Sequence, residues 1–120
     1  MTHYLLSVHM ASGEHRDPPS EAQMREYAGR IGALEAEMRS ADALVFSGRL
    51  QDVEAAAVID ATNGEVQVTD GPFLESKEAI GGFYIIDAPT AEAAQEWATK
   101  TSAVVGMPIE LRPFKDTRQD

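Results

Sequence analysis

The chain has 120 residues, of which 43% are apolar and 25% are charged. This length accommodates one compact domain, and the composition excludes wholesale disorder. The 20 acidic and 10 basic residues give a net charge of −10, and the basic residues are scattered singly. The sequence therefore predicts neither a nucleic-acid-binding surface nor a site for an anionic membrane, since both need clustered Lys and Arg.

Cysteine and long apolar runs are both missing from the sequence. The absence of cysteine excludes a disulfide framework, a thiol nucleophile and a thiolate-ligated metal. No apolar run reaches the roughly 18 residues of a membrane-spanning helix, and the N-terminus shows no basic segment of a signal peptide. We therefore expect a soluble, cytoplasmic protein.

The first half of the chain predicts a strand, a helix and a second strand. In the strand over residues 3–10, even positions form an apolar face, and the odd positions form a mixed face of His3, Leu5, Ser7 and His9. After a loop over 11–19, Ser20 caps a helix that runs to Arg39, and Gln23 completes a capping box. Its predicted buried stripe is Met24, Tyr27, Ile31, Leu34 and Met38. The second strand spans 43–50, with Leu44, Phe46 and Leu50 on one side.

The second half begins with a hairpin. Segments 55–60 and 66–69 flank Asn63-Gly64, a pair that favours a type I′ turn. A loop over 70–81 and a strand over 82–87 follow. Thr90 then caps a second helix, and Gly106 precedes a last strand over 109–114. The inward stripe of this helix is predicted to be Ala94, Trp97, Ala98 and Thr101.

This order of elements predicts an α+β fold of the ferredoxin-like (split βαβ) type. It has an antiparallel sheet with two helices on one face and an inserted β-hairpin. Residues 1–115 form the single domain, and 116–120 form a polar C-terminal tail. If the apolar face of the first strand meets the helices, the face with Leu5 and His9 is left open to water. Burial of that face against a second copy is the simplest solution, so we expect a homodimer.

The segment around Asp70 carries the densest set of reactive groups. Asp70, Glu75, Lys77 and Glu78 share one long loop beside Gly81-Gly82, and loops of this length are often functional. A lysine between carboxylates can hold an anionic substrate or act as a base. Alternatively, Asp70 only shapes a turn, and the charges form weak surface ion pairs. We predict Asp70 as a catalytic residue and Glu75 and Lys77 as substrate-binding residues.

His9 and Arg112 are the remaining candidates. His9 lies on the face that is expected to line the dimer cleft, where an imidazole could move protons near neutral pH; alternatively it is a hydrogen-bonded interface residue. His3, next to the terminus, is a weaker candidate. Arg112 could clamp a substrate carboxylate, or it could pair with a carboxylate such as Glu110. The sequence lacks dinucleotide, phosphate-loop and nucleophile-elbow motifs and has no zinc-ligand spacing, so we expect neither a cofactor nor a metal.

The tetrapeptide Asp70-Gly71-Pro72-Phe73 resembles the DGPF-domain proteins of the YCII-related family. The resemblance extends over nearly the whole chain, through Val68-Thr69, 75–78, 81–86, Ala93-Ala94, Glu96-Trp97-Ala98 and 109–113. It implies a ferredoxin-like fold that pairs as a dimeric α/β barrel. Members of this family have been proposed as small-molecule enzymes, and one relative in chlorinated-aromatic breakdown is a dehydrochlorinase. DGPF domains also occur near, or fused to, extracytoplasmic-function sigma factors.

One departure from the family pattern limits which of the family's site residues can be assigned to this chain. The YCII branch has a histidine on its first helix, paired with an aspartate, whereas the helix from Ser20 to Arg39 has none; the matching place lies near Arg30 or Ile31. We therefore hypothesise a cofactor-independent, lyase-like enzyme acting on a small organic acid or aromatic compound. In it His9 moves protons, Asp70 orients His9, and Lys77 or Arg112 holds the anion. The alternatives are a non-catalytic module that binds a metabolite or a regulatory protein such as a sigma factor, and a purely structural dimer.

Overall fold

The computed structural model describes residues 2–11, 19–71 and 78–115. The predicted tail over 116–120 and most of the predicted loop over 11–19 lie outside these residues. The elements, in chain order, are β1 (Thr2–Ala11), α1 (Glu21–Ser40), β2 (Leu44–Arg49), a 3-10 turn (Val53–Ala55), β3 (Ala57–Asp60), β4 (Gln67–Asp70), β5 (Glu78–Ala88), α2 (Ala91–Val105) and β6 (Ile109–Pro113).

Four strands form one antiparallel sheet in the order β2-β5-β1-β6, and β3 pairs with β4 in a separate two-stranded sheet. The two longest strands, β1 and β5, therefore occupy the centre, where each is paired on both sides. The prediction of an α+β fold with an antiparallel sheet, two helices and an inserted hairpin is confirmed. The order of the elements and strands is consistent with the ferredoxin-like type.

The hydrophobic core lies between the two helices and one face of this sheet. Even positions of β1 and β5 meet residues from both helices, and the buried cluster comprises Tyr4, Leu6, Leu34, Met38, Tyr84, Ile86, Ala88 and Ala94. In α2, Ala94 and Thr101 are fully buried and Trp97 and Ala98 pack at the edge of the cluster, as the sequence predicted. The odd positions of β1, and those of β5 from Phe83 to Asp87, consequently face away from the helices.

Both helix caps agree with the sequence. Gln23 N–H donates to Ser20 Oγ over 3.1 Å, and Ser20 N–H donates to Gln23 Oε1 over 2.9 Å, which completes the capping box. Ala93 N–H donates to Thr90 Oγ1 over 3.1 Å at the start of α2, and Gly106 ends that helix at φ +72°. Neither helix in the described part of the chain combines the length and apolar character that a membrane span requires.

The buried stripe of α1 is shorter than predicted. Leu34 and Met38 are buried, but Met24 and Tyr27 are exposed to 50% and 36%, and every residue from 21 to 30 is exposed. A helix of 20 residues is about 30 Å long. Only its C-terminal half therefore packs on the sheet, and the apolar periodicity of its first half does not correspond to core contacts.

The side chains of β2 do not alternate as the sequence predicted. Leu44 pairs with Ile86 and packs on the core, whereas Phe46 pairs with Ile85 after a register shift between Leu44 and Phe46. A bulge of this kind moves the following side chains to the other face of the sheet. Phe46 is therefore 59% exposed on the face opposite the helices, and the predicted common side of Leu44 and Phe46 is wrong.

The inserted hairpin is present, but its turn is not of type I′. Asp60 pairs with Gln67, so six residues connect the strands. Gly64 has φ +88°, and Asn63 is not among the described residues with positive φ, whereas a type I′ turn needs two successive positive φ values. The loop is closed instead by Asp60 Oδ1, which accepts hydrogen bonds from Thr62 N–H over 3.0 Å and from Thr62 Oγ1 over 2.7 Å.

The predicted loop over 70–81 is shorter than expected. Asp70 is the last residue of β4 and β5 already begins at Glu78, so Gly81 and Gly82 lie inside a central strand. A register shift between Val8 and His9 accommodates this part of β5. A Cβ atom at Gly82 would lie 3.1 Å from the carbonyl oxygen of Gly48. The backbone of β2 therefore approaches β5 closely at Gly82, which explains a glycine inside this strand.

Candidate functional site on the open face of the sheet

We call the face of the four-stranded sheet that lies opposite the helices the open face. Its central strands contribute the odd positions of β1, from His3 to His9, which pair with residues of β5 from Asp87 to Ile80. The flanking strands contribute Phe46 of β2 and Glu110 and Arg112 of β6. This face contains His9 and Arg112, two of the candidate site residues predicted from the sequence, and further pairs of polar side chains.

The first polar pair on the open face is His3 and Asp87. These residues are directly opposite each other on β1 and β5, and His3 Nδ1 contacts Asp87 Oδ1. Their side chains are 19% and 23% exposed. The ring of Phe114 lies edge-on to His3, with a centroid distance of 6.3 Å and an interplanar angle of 89°. The imidazole is therefore held by a carboxylate on one nitrogen and by an aromatic ring at its side.

This arrangement gives the two nitrogens of His3 different roles. With Asp87 ionised, Nδ1 is the donor to its carboxylate, and Nε2 is the nitrogen that accepts a proton. A carboxylate at Nδ1 also stabilises the imidazolium that forms when Nε2 takes up a proton. The pair can therefore act as an oriented general base, as long as a ligand reaches Nε2.

The second polar pair is Ser7 and His9. Ser7 Oγ lies 2.9 Å from His9 Nε2, and His9 has a further interaction besides this one. Ser7 is only 1% exposed although it lies on the open face, where Phe83 and Glu110 flank it and the larger side chain of His9 contacts it. A serine this inaccessible is poorly placed to attack a ligand, so its hydroxyl serves to position the imidazole of His9.

Arg112 lies beside these pairs on β6. It is opposite Leu5, and its guanidinium nitrogen contacts Glu110 Oε1 at 2.7 Å on the same strand. The two side chains are 69% and 44% exposed, and an ion pair this exposed contributes about 0–1 kcal/mol. Glu110 therefore holds Arg112 only weakly, and the guanidinium remains able to bind a ligand carboxylate.

Apolar side chains occupy the space between the polar pairs. The rings of Phe46 and Phe83 are 5.9 Å apart at a tilt of 35°, and Leu5 and Ile85 are only partly buried. Ile80, which pairs with His9, is 44% exposed. An apolar strip bordered by a few oriented polar groups is the usual composition of a small-molecule site, although here one chain leaves it open on one side.

Asp70 lies in a different sheet from His9 and Arg112. It ends β4, pairs with Ala57 and is exposed, and Glu78 begins β5, so the prediction that Asp70 and Glu78 lie on one long loop is wrong. Glu75 and Lys77, the predicted substrate-binding residues, lie outside the described residues. Among those that are described, no group of three or more His, Asp or Glu residues is arranged to hold a metal ion.

The sequence does not predict the His3–Asp87 pair. His3 is a weaker candidate there because it is close to the terminus, and Asp87 only ends a predicted strand. The alternation of each strand does place both residues on the open face. Their pairing depends on the register between β1 and β5, and that register contains a bulge that periodicity does not reveal.

Comparison with known proteins adds two findings. A family model described as the YCII-related domain matches residues 3–115, which is nearly the whole chain. An uncharacterized protein from Rhizobium meliloti (strain 1021) is 43% identical over 54 residues. That match covers 45% of the present chain and 44% of the relative, so the chain spans less than half the length of this relative.

Proposed function

This chain belongs to the YCII-related domain family, and from that premise we propose that it is a homodimeric, cofactor-independent enzyme. Its substrate is a small organic acid or aromatic compound, which binds on the open face. The second copy covers this face and so excludes water from the bound ligand. The observation that carries the proposal is the half-buried His3–Asp87 pair beside an apolar strip.

The reaction that fits these groups is an elimination that begins with proton abstraction. His3 Nε2 removes a proton from a carbon next to the substrate carboxylate or carbonyl group. The electron pair of that C–H bond forms a C=C bond, and an anionic group leaves from the neighbouring carbon with its bonding electrons. The proton stays on His3 until it is released to water, and Asp87 stabilises the imidazolium in the interval.

Arg112 and the apolar strip account for substrate binding. Arg112 is opposite Leu5, which is the next residue after His3 on the open face of β1. A carboxylate on the guanidinium would therefore place the carbon skeleton along Leu5 and Ile85, near the imidazole. This arrangement favours substrates that combine one negative charge with an apolar body. Glu75 and Lys77, which lie outside the described residues, remain predicted substrate-binding residues.

His9 is the alternative candidate for the base. The two assignments predict opposite effects on the reaction when each histidine is replaced. His9 Nε2 is engaged with Ser7, whereas the accepting nitrogen of His3 faces away from Asp87. We therefore assign the proton transfer to His3 and a supporting role to His9. If His9 is the base, as the sequence predicted, its replacement should abolish the reaction while replacement of His3 should not.

The test uses a panel of small carboxylic acids and phenols in two stages. A thermal-shift screen first identifies ligands, because a ligand at 100 times its Kd adds about 2.7 kcal/mol of stability. Proton NMR in D2O then follows loss of the carbon-bound proton and appearance of product with each ligand. We expect turnover by the unchanged protein, a loss of about 100-fold or more in His3→Gln, and a much smaller loss in His9→Gln.

Three results would overturn parts of this proposal. Binding without exchange or turnover would favour the non-catalytic metabolite-binding module. Turnover that survives in His3→Gln but not in His9→Gln would move the base to His9. A panel that shifts no melting temperature would remove the small-molecule function and leave a regulatory protein partner as the alternative.

A further inference from the structure

Asn63 and Gly64 lie in the loop that connects β3 to β4. Asn63 is the only asparagine in the chain, and both residues are exposed. Asparagine is a chemically labile residue, and most of all before glycine, because the backbone nitrogen of the next residue can attack the amide carbon of its side chain. Glycine has no Cβ atom, so no side chain shields this nitrogen. The extent of the reaction in a folded protein therefore depends on how firmly the loop holds the two residues.

The loop holds Asn63 and Gly64 only weakly. Gly64 N–H donates to the Ala61 carbonyl over 3.2 Å, which is the long end of the range for such bonds. A Cβ atom at Gly64 would meet no atom within 4 Å, so the space around this residue is open. The other hydrogen bonds of the loop join Thr62 to Asp60. In the part of the chain that the structure describes, the Asn63 carboxamide has no hydrogen-bond partner and can approach the Gly64 nitrogen.

Asp70-Gly71, at the other end of β4, is a comparable pair that the structure holds firmly. Asp70 is the last residue of β4 and pairs with Ala57. Gly71 N–H donates to the Ala56 carbonyl over 2.7 Å, which is the short end of the same range. An amide nitrogen must give up its hydrogen before it can act as a nucleophile, so this bond opposes the reaction at Gly71. The structure therefore distinguishes two sites that the sequence presents alike.

We propose that Asn63 is a site of spontaneous deamidation in the folded protein. The Gly64 nitrogen gives its proton to solvent and forms a bond to Asn63 Cγ, and the bond from Cγ to Nδ2 breaks as ammonia leaves. Water then opens the resulting five-membered imide at one of its two carbonyl carbons. Opening at Cγ gives aspartate, and opening at the backbone carbonyl carbon gives isoaspartate, in which the chain continues through Cγ. The sequence of steps consumes one water molecule and releases one ammonia molecule.

The modification adds a negative charge to a segment that is already acidic. Residues 51–71 contain five acidic residues and no basic one, and the new carboxylate lies between Asp60 and Glu65, where like charges repel. Each strand of the hairpin has only four residues, and an isolated two-stranded hairpin is marginally stable in water. We therefore expect faster amide hydrogen exchange in β3 and β4 after the reaction. The four-stranded sheet, which is separate from the hairpin, should keep its exchange rates.

Peptide mass spectrometry after prolonged incubation at neutral pH tests the proposal. Asp70→Asn creates a second Asn-Gly pair in the same hairpin, so the two sites are compared within one chain. In the folded protein we expect Asn63 to gain one mass unit and its peptide to separate into aspartate and isoaspartate forms. The rate at position 70 should be about fivefold lower, or lower still, because the hydrogen bond from Gly71 to Ala56 opposes the reaction. In urea, which releases both glycine nitrogens, the two rates should be similar.

Asn63→Gln is the matched control, because it keeps the carboxamide but closes a larger ring more slowly. Its hairpin peptide should keep its mass. If Asn63 reacted in urea but stayed intact in the folded protein, the loop would protect it and the proposal would be overturned. Equal rates at positions 63 and 70 of folded Asp70→Asn would overturn the protective role of the Gly71 hydrogen bond. Unchanged hydrogen exchange in β3 and β4 of the modified protein would overturn the expected effect on the hairpin.

Discussion

The hydroxyl of Tyr84 donates a hydrogen bond to Glu35 Oε2 over 2.9 Å and so joins β5 to α1. Tyr84 is only 6% exposed. Burial, followed by the hydrogen bond and the negative charge of Glu35, raises the pKa of Tyr84 well above its usual range. The phenol therefore stays protonated in the folded protein at pH values where a tyrosine in an unfolded chain ionises.

This pair predicts a pH dependence of stability at the alkaline end. The stability that Tyr84 contributes to the folded protein is fully present at pH values below the unfolded pKa of about 10. It falls as the pH rises further, because the unfolded chain then binds fewer protons than the folded one. We expect Tyr84→Phe to lose about 1 kcal/mol at neutral pH and to show a shallower decline above pH 10, in urea unfolding followed as a function of pH.

Tyr27→Phe is the control for this prediction, since Tyr27 is an exposed tyrosine on α1. It should leave the stability at neutral pH unchanged and should alter the alkaline slope less than Tyr84→Phe does, because the charge of Tyr27 raises the pKa of Tyr84 less than burial and Glu35 do. If the two variants behaved alike, the hydrogen bond between Tyr84 and Glu35 would not be the source of the effect.

Ile85 and Ile86 are adjacent on β5 but face opposite sides of the sheet. Ile86 is fully buried in the core, so Ile86→Ala should cost about 2–5 kcal/mol at any protein concentration. Ile85 is on the open face, and Ile85→Ala should cost less in a dilute monomer. If copies pair through this face, the loss at Ile85 grows with protein concentration. Denaturant titrations at two protein concentrations measure the stability lost in each variant. A loss of stability in Ile85→Ala that is independent of protein concentration would argue against pairing through this face.

Replacement of glycine by alanine should have opposite effects on stability at Gly82 and at Gly32. At Gly82 an added Cβ would be 3.1 Å from the Gly48 carbonyl oxygen, so β2 would have to move, at a cost of about 1–3 kcal/mol. Gly32 in α1 has open space around that position, and alanine there should add about 0.5–1 kcal/mol. The melting temperatures of Gly82→Ala and Gly32→Ala should therefore shift in opposite directions. A harmless Gly82→Ala would mean that the β2–β5 contact is looser than described.

Asp60 provides a local test of the hairpin loop. The hydroxyl and the backbone N–H of Thr62 both donate to its carboxylate, and they lower the pKa of Asp60 below its usual value. A carboxyl with a depressed pKa stabilises the loop above the unfolded pKa and loses that effect as the pH falls. In NMR titrations of the carboxyl carbon, Thr62→Ala should raise the pKa of Asp60, whereas Thr62→Ser, which keeps the hydroxyl, should not. Equal pKa values in all three proteins would contradict the observed hydrogen bonds.

Much of the fold could be predicted because it depends on neighbouring residues. Ser20 and Thr90 cap helices through hydrogen bonds to residues three positions away, and the alternation in β1 follows from the geometry of an extended strand. The candidate site was predicted less completely. The alternation in β1 predicts His9 on the face away from the helices, and the structure confirms this, but Asp70 ends a strand of the hairpin and the partner of His3 follows from no local pattern.

The class of fold, the two helices, their caps and the side of β1 that meets the core could all be predicted from the sequence, since these are properties of short segments. The bulges near Phe46 and His9, and the register that brings His3 to Asp87, depend on tertiary packing. It also decided how much of α1 packs on the sheet. Pairing between distant strands is set by the packing of the whole core, and a shift of one residue moves each side chain to the other face. No local pattern contains that information.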